Sequence, residues 1–474
     1  MRILLPTGSA TVGIVKAAVR RASDRYEIDV VVTGDIASFL APGDLKRLLR
    51  GGDYDMAIVS GMCTASFADV ERETGVPVYR GPRHAADLPL VLPVLEQIRL
   101  SKTVPADEFL ADTRREEACR QVALREEGAD PDFIIRGVKI GGGARMKVLA
   151  EIMDAHRRDD LEGEVRRFFA DGADIVDLGF GFDATPEDVE RCFSALEGIE
   201  GPLAVDTQDP LLIAAALFRA DLVLSLHEGN IPVVGEAVAD AGAAAVVVPR
   251  ERTLSENLAA AEEAGICCLI ADPLLQPVGS GLTGSLRGFL GVSYPLFFGA
   301  GNVVELLDAD SPGANALLAG MAHEVGAAVI FTSEHSDKTT GSVAEMRRAT
   351  EMMALMTGRP YPKDLGIDLL ILKEKRRRRE PPLEYERVME ACPTPDEITY
   401  DPLGCIRIGI EGDFVVAVHR GHAVRGKHWE DVFYTLLENG SLSRLDHAAY
   451  LGKELFKAEL AIRLKRSFEQ DGPF

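Results

Sequence analysis

Four short apolar runs in this chain each end on an acidic or amide side chain, and that repetition restricts what it can fold into. Gly-Ala-Asp-Ile-Val-Asp177 comes first, followed by Pro-Leu-Ala-Val-Asp206, Ile-Cys-Cys-Leu-Ile-Ala-Asp272 and Phe-Phe-Gly-Ala-Gly-Asn302. A buried strand gains nothing from a terminal carboxylate unless that end faces a ligand or a hydrogen-bond partner. Helix-length segments separate these ends. The pattern is that of an α/β chain forming a (β/α)8 TIM barrel, with its site at the C-terminal rim of the strands.

The alternation is regular from Lys147 to Met356. It predicts strands at Lys147–Ile152, Asp174–Leu178, Leu203–Asp206, Leu222–Leu226, Ala244–Val248, Ile266–Ile270, Tyr294–Phe298 and Ala327–Phe331. Eight strands in roughly 210 residues suit one closed barrel, with an open doubly wound sheet as the alternative. Thr185-Pro186-Glu187-Asp188 is the clearest helix start, with a threonine cap, an early proline and early acids.

Residues 1–95 read as a small Rossmann-like α/β domain, with strands at Arg2–Leu5, Tyr26–Val32, Met56–Val59 and Val76–Tyr79. The turn Gly8-Ser9-Ala10-Thr11 offers either an anion site at a helix N-terminus or a short connection needing small residues. It lacks the Walker lysine and the full Gly-x-Gly-x-x-Gly spacing. Residues 96–140 read as a charged helical linker, 141–362 as the barrel and 363–474 as a separate α+β module. That module starts with a basic run, Lys375 to Arg379, before Pro381-Pro382. A hairpin of Cys405–Ile410 and Phe414–Val418 follows, then two helices.

Composition narrows the function. A formal charge of −23 over 474 residues argues against nucleic-acid binding, which needs a cationic surface. The seven cysteines include no Cys-x-x-Cys pair, so we expect neither structural disulfides nor a metal site. Cys267 and Cys268 fall inside an expected apolar strand. No signal peptide is recognisable after Met1 and no apolar run is long enough to span a bilayer, so the expected location is cytoplasmic, with no membrane partner.

Strand alternation puts Asp177 on the face of Ile175, Asp206 on that of Ala204, and Asp272 on that of Ile270. Three inward carboxylates repel one another unless a cation, a proton or a hydrogen-bonding ligand intervenes. A heterocycle rich in N–H donors, such as a pterin or a purine, answers that need through paired hydrogen bonds.

At these residues the chain resembles the dihydropteroate synthase family. The matching segments are Gly172-Ala-Asp-Ile-Val-Asp177, Val205-Asp206-Thr207 and Asp272-Pro273. The resemblance implies that Asp206 and Asp272 contact a pterin ring while Asp177 shapes the rim. Asn230, in Ser-Leu-His227-Glu228-Gly229-Asn230, stands where the family has an asparagine after its fourth strand. Asn302 is comparable with the asparagine of pterin-dependent methyltransferases that share the fold. The family's Ser-Arg-Lys and Arg-x-His clusters are replaced by Gly299-Ala-Gly-Asn302 and Thr332-Ser-Glu-His335, and Glu151-Ile-Met-Asp154 stands in place of its first-strand motif. His335 is then a candidate general acid or base, and Lys338 a substitute for the missing phosphate-binding cations. The three-part layout, with its closing string His447 to Glu459, resembles archaeal-type dihydropteroate synthase-related proteins.

The resemblance implies a pterin as substrate or cofactor, with Mg2+ if a diphosphate is bound. By analogy with synthase barrels it also implies a homodimer. Three functions follow. The first is condensation of a dihydropterin-methyl diphosphate with an arylamine, in tetrahydromethanopterin or folate-type biosynthesis. The second is one-carbon transfer from a methyl-tetrahydropterin. The third is a non-catalytic pterin-binding scaffold.

Overall fold

An apolar run between Arg2 and Gly8 opens the chain as β1 (Arg2–Gly8), and three more runs join it in one sheet: β2 (Glu27–Gly34), β3 (Met56–Val59) and β4 (Val78–Arg80). All pairings are parallel, in the order β2-β1-β3-β4. Ile3, Leu4 and Ile58 are buried between flanking helices. At the end of β1 the register shifts between Thr7 and Gly8, and a Cβ on Gly8 would lie 2.4 Å from the Asp35 carbonyl oxygen. Glycine is therefore required where the strand turns into the following helix.

The computed structural model describes residues 1–22, 25–95, 98–109, 111–356, 361–373, 386–393 and 399–473. The chain divides into two units, Met1–Leu369 and Leu370–Phe474. The basic run Lys375 to Arg379 lies outside the described residues.

The helix Ala111–Gly128 accounts for much of the expected charged linker, but a hairpin completes it: β5 (Phe133–Ile135) and β6 (Val138–Ile140). Arg136 and Gly137 form its two-residue turn with φ of 42° and 86°, the doubly positive backbone that matches strand twist. Ile135 and Ile140 pack against the inward side chains Leu149, Ile175, Ala204 and Leu222. Arg136 reaches Asp221, just before a barrel strand, at 2.9 Å, so the hairpin plugs the N-terminal mouth of the barrel. Lys139 donates to the carbonyls of Glu126, Glu127 and Ala129, which satisfies the end of the preceding helix.

The barrel itself comprises β7 (Lys147–Ile152), β8 (Ile175–Gly179), β9 (Leu203–Asp206), β10 (Leu222–Leu226), β11 (Ala244–Val247), β12 (Leu269–Ala271), β13 (Leu296–Phe298) and β14 (Ala327–Ser333). All are parallel, and β14 pairs with β7 to close the ring, which rules out the open sheet. Alternate residues separate cleanly. Leu149, Ile175, Ala204, Val246, Ile270, Phe297, Val329 and Phe331 fill the interior, whereas Val148, Val176, Val205, Val247 and Phe298 pack against the helices. Thr185 and Asp188 form a reciprocal capping box at the start of the helix Pro186–Ala195. β12 begins later than expected because Gly265, at φ 93°, ends the preceding helix and the chain needs three residues to enter the barrel. Cys267 is consequently exposed rather than inside a strand.

The second unit is an antiparallel meander of β15 (Ile406–Glu411), β16 (Phe414–His419) and β17 (His422–Gly426), with helices Trp429–Glu438 and Leu445–Arg463. The third strand was not expected from the polar segment around His422. It forms because Arg420 and Gly421 both take positive φ and reverse the chain tightly. Leu451, Leu455 and Ala458, within the string His447 to Glu459, face Ile406, Val415 and Val432. No helix among the described residues is long and apolar enough to cross a membrane.

If the hairpin completes the barrel interior, Ile140→Ala should cost about 2–5 kcal/mol. A denaturant midpoint unchanged from wild type would show that the plug contributes no packing.

Candidate functional site

Alternation continues past the apolar interior to the C-terminal ends of the strands. Two residues beyond Leu149 comes Glu151, two beyond Ile175 comes Asp177, and two beyond Ala204 comes Asp206. Register holds them side by side: Glu151 pairs with Asp177, Asp177 with Ala204, and Gly179 with Asp206. One oxygen from each of Glu151, Asp177 and Asp206 lies within 4.8 Å of the other two. Gly179 makes room for this approach, since a Cβ there would stand 2.7 Å from Glu151 Oε1. Asp272, one residue past β12, is buried at the same end of the barrel and accepts a 2.8 Å bond from the Leu274 amide. The third aspartate of the expected set therefore shares the rim, while Glu151 is an addition the strand-end pattern did not single out. The missing signal was only its spacing from Leu149.

The electrostatics follow from burial of negative charge. Asp177 is fully buried, and neither of its oxygens accepts a hydrogen bond among the described residues. Burial, then the charges of Asp206 and Glu151, push its pKa well above the carboxylate range; the adjacent Leu178 amide opposes this without reaching hydrogen-bond geometry. Glu151 is pushed up to about 8 by burial, then by Asp206, Asp154 and Glu305. Asp272 rises to about 7, again chiefly through burial. Asp206 is raised by burial and partly relieved by Ser225, whose hydroxyl donates to Oδ1 at 3.2 Å.

Ser225 is held for that contact by Asn230. The serine sits at φ 62°, where the β10–β11 register shifts. Buried Asn230 accepts from the His227 amide at 2.8 Å and donates to the Ser225 carbonyl at 3.3 Å. Its amide thus fixes its own loop. His227 accepts from the Gly229 amide and faces Arg250 at 3.3 Å, and burial lowers its pKa.

The remaining expected residues lie apart from the carboxylates in their contacts. Asn302 is exposed on the helix Ala300–Glu305. His335 is exposed, and its backbone amide donates to Glu305. Lys338 donates to the Leu307 carbonyl at 2.8 Å and approaches Asp308 at 3.4 Å. Glu305 organises this loop, taking bonds from Ser333, Ser336 and Thr339 as well.

Comparison with known proteins places this geometry in context. Residues 400–471 match the family model PterinBD-DUF4346. The uncharacterized protein MJ0107 of Methanocaldococcus jannaschii is 31% identical over 520 aligned residues, covering 99% of this chain and 98% of that one. Among solved structures, Rv1207 of Mycobacterium tuberculosis is 24% identical over 48% of this chain and 100% of its own, with a TM-score of 0.38. Dihydropteroate synthase of Thermus thermophilus, solved with 6HMPPP, is 21% identical over 44% of this chain and 92% of its own, with a TM-score of 0.36.

The raised carboxyls make stability depend on pH in one direction. Glu151 and Asp272 hold their protons more tightly folded than unfolded, so their contribution is complete below the ordinary carboxylate range and is lost as pH rises through about 7 to 8. In metal-free buffer the melting temperature should fall between about pH 5 and 8, and Glu151→Gln should flatten that fall. A slope identical in the variant would contradict the assignment.

Proposed function

The chain belongs to the family of MJ0107 of Methanocaldococcus jannaschii, aligned along nearly its whole length, and from that premise we propose that its barrel binds a pterin and joins it to an arylamine. The observation that carries the reading is the inward carboxylate pair at one rim, Asp272 buried and Asp206 partly buried, neither with a cationic partner among the described residues. A 2-amino-4-oxo ring presents adjacent N–H donors, and buried carboxylates accept such pairs strongly. The name of the family model that matches residues 400–471 is in keeping with a pterin ligand.

In this reading Asp206 and Asp272 hold the ring of a dihydropterin-methyl diphosphate, and Asp177 with Glu151 closes the floor beneath it. The amine nitrogen forms a bond to the pterin methylene carbon as the carbon–oxygen bond to diphosphate breaks. Exposed His335 takes the amine proton. Lys338 serves the departing diphosphate on leaving Leu307 and Asp308, and a diphosphate bound there brings Mg2+ with it. Orientation supplies most of the rate, without a covalent intermediate. The product belongs to tetrahydromethanopterin or folate-type synthesis.

The placement of Lys338 also favours a second reading, in which the barrel binds the ring without turnover, because its ammonium is engaged by Leu307 and Asp308. Titration calorimetry with pterin and methanopterin fragments tests the binding that both readings share. Wild type should bind, and Asp206→Asn should bind about tenfold or more weakly, the loss expected for a hydrogen bond to a charged group. No binding of any pterin by wild type would remove both readings. Pyrophosphate release with pterin diphosphate and an arylamine would select the synthase, and binding without release would select the carrier.

A further inference from the structure

The innermost part of the rim has a property that a flat heterocycle above it does not explain. Asp177 lies on the interior face of β8, flanked by Glu151 on β7 and Asp206 on β9, and it is wholly buried with both oxygens unpartnered among the described residues. Buried carboxylate oxygens almost always find donors. Asp206 has the Ser225 hydroxyl and Asp272 has the Leu274 amide, but Asp177 has no hydrogen-bond partner among the described residues and lies against the carboxyls of Glu151 and Asp206.

We propose that Glu151, Asp177 and Asp206 form a protein-built site for one hard divalent cation of the Mg2+ or Mn2+ class. Three oxygens mutually within 4.8 Å admit a point no farther than about 2.8 Å from each, and small side-chain adjustments bring that to the roughly 2.0–2.6 Å of oxygen-bound divalent ions. An all-carboxylate set with no thiolate or imidazole suits Mg2+, Mn2+ or Ca2+. Gly179 leaves room beside the group, since a Cβ there would stand 2.7 Å from Glu151 Oε1. Glu151 and Asp206 are only partly buried, so the outer side of the ion stays open to water or to a substrate oxygen.

The site differs from Mg2+ carried in by a diphosphate, since its ligands are three side chains of this chain and it binds metal with no substrate present. It departs from the expectation of no metal site, which rested on cysteine spacing. It goes beyond the pterin reading and does not depend on it.

Manganese alone is the probe. Full-length protein stripped with chelator is titrated with MnCl2, and free Mn2+ is followed by its electron paramagnetic resonance signal. One Mn2+ should bind per chain, and Mg2+ should compete for it. Asp177→Asn and Glu151→Gln should each weaken binding by more than about tenfold, since even outer-shell partners of metal ligands cost 10–100-fold. Asp272→Asn, outside the triad, should retain manganese binding while weakening any pterin binding, which separates failure of one assignment from failure of the other. Circular dichroism confirms that each variant is folded, and a variant that does not fold leaves the wild-type stoichiometry and Mg2+ competition to decide. Wild type that binds no Mn2+ at millimolar concentration, or a folded Asp177→Asn that binds it as tightly as wild type, would overturn the proposal.

Discussion

Parallel pairing of β7, β8 and β9 brings three acidic side chains together, and the rest of the rim is arranged around that conflict. The register that pairs Glu151 with Asp177, and Gly179 with Asp206, is the same register that interleaves Leu149, Ile175 and Ala204 below. A one-residue slip would turn both sets outward together. The packing that stabilises the interior therefore also holds the carboxyls in place, and the stability of the apolar layers sustains an arrangement that is unfavourable by itself. The hairpin plug at the opposite mouth strengthens that support, because Ile135 and Ile140 add apolar contacts to those layers.

Around the triad, several neighbouring polar groups have defined partners. Asn230 holds the Ser225 carbonyl, Ser225 supports Asp206, the Leu274 amide supports Asp272, and Glu305 gathers the loop after β14. At the rim, by contrast, both oxygens of Asp177 lack a hydrogen-bond partner among the described residues. The proposed cation within the triad and the proposed ring on Asp206 and Asp272 are compatible uses of one acidic rim.

The sequence made the barrel legible because a parallel strand buried on both faces is an unmistakable short apolar run, and eight of them leave few topologies. Asp177, Asp206 and Asp272 were legible because each breaks such a run at its end. Glu151 was not, because Ile152 continues the apolar run past it, so the break is visible only when Leu149 and Glu151 are counted as one face. The plug escaped notice because Phe133–Ile140 is short and follows a charged helix, and its partner surface exists only once the barrel has closed. The role of Asn230 was equally hidden. Its residue type marks a polar position, but its clamp on Ser225 depends on a positive φ that no spacing rule announces for serine.

The rim triad holds more acidic groups than its described neighbours can neutralise, so a proton or a cation must make up the difference. Isotope-edited infrared spectroscopy of chelator-treated protein at neutral pH reads this directly, through the carbonyl stretch that only a protonated carboxyl gives. The account predicts such a band in wild type, diminished both in Glu151→Gln and when Mn2+ saturates the site, with Asp272, at about 7 and outside the triad, supplying what remains. A spectrum with every carboxyl ionised in the metal-free protein would contradict it.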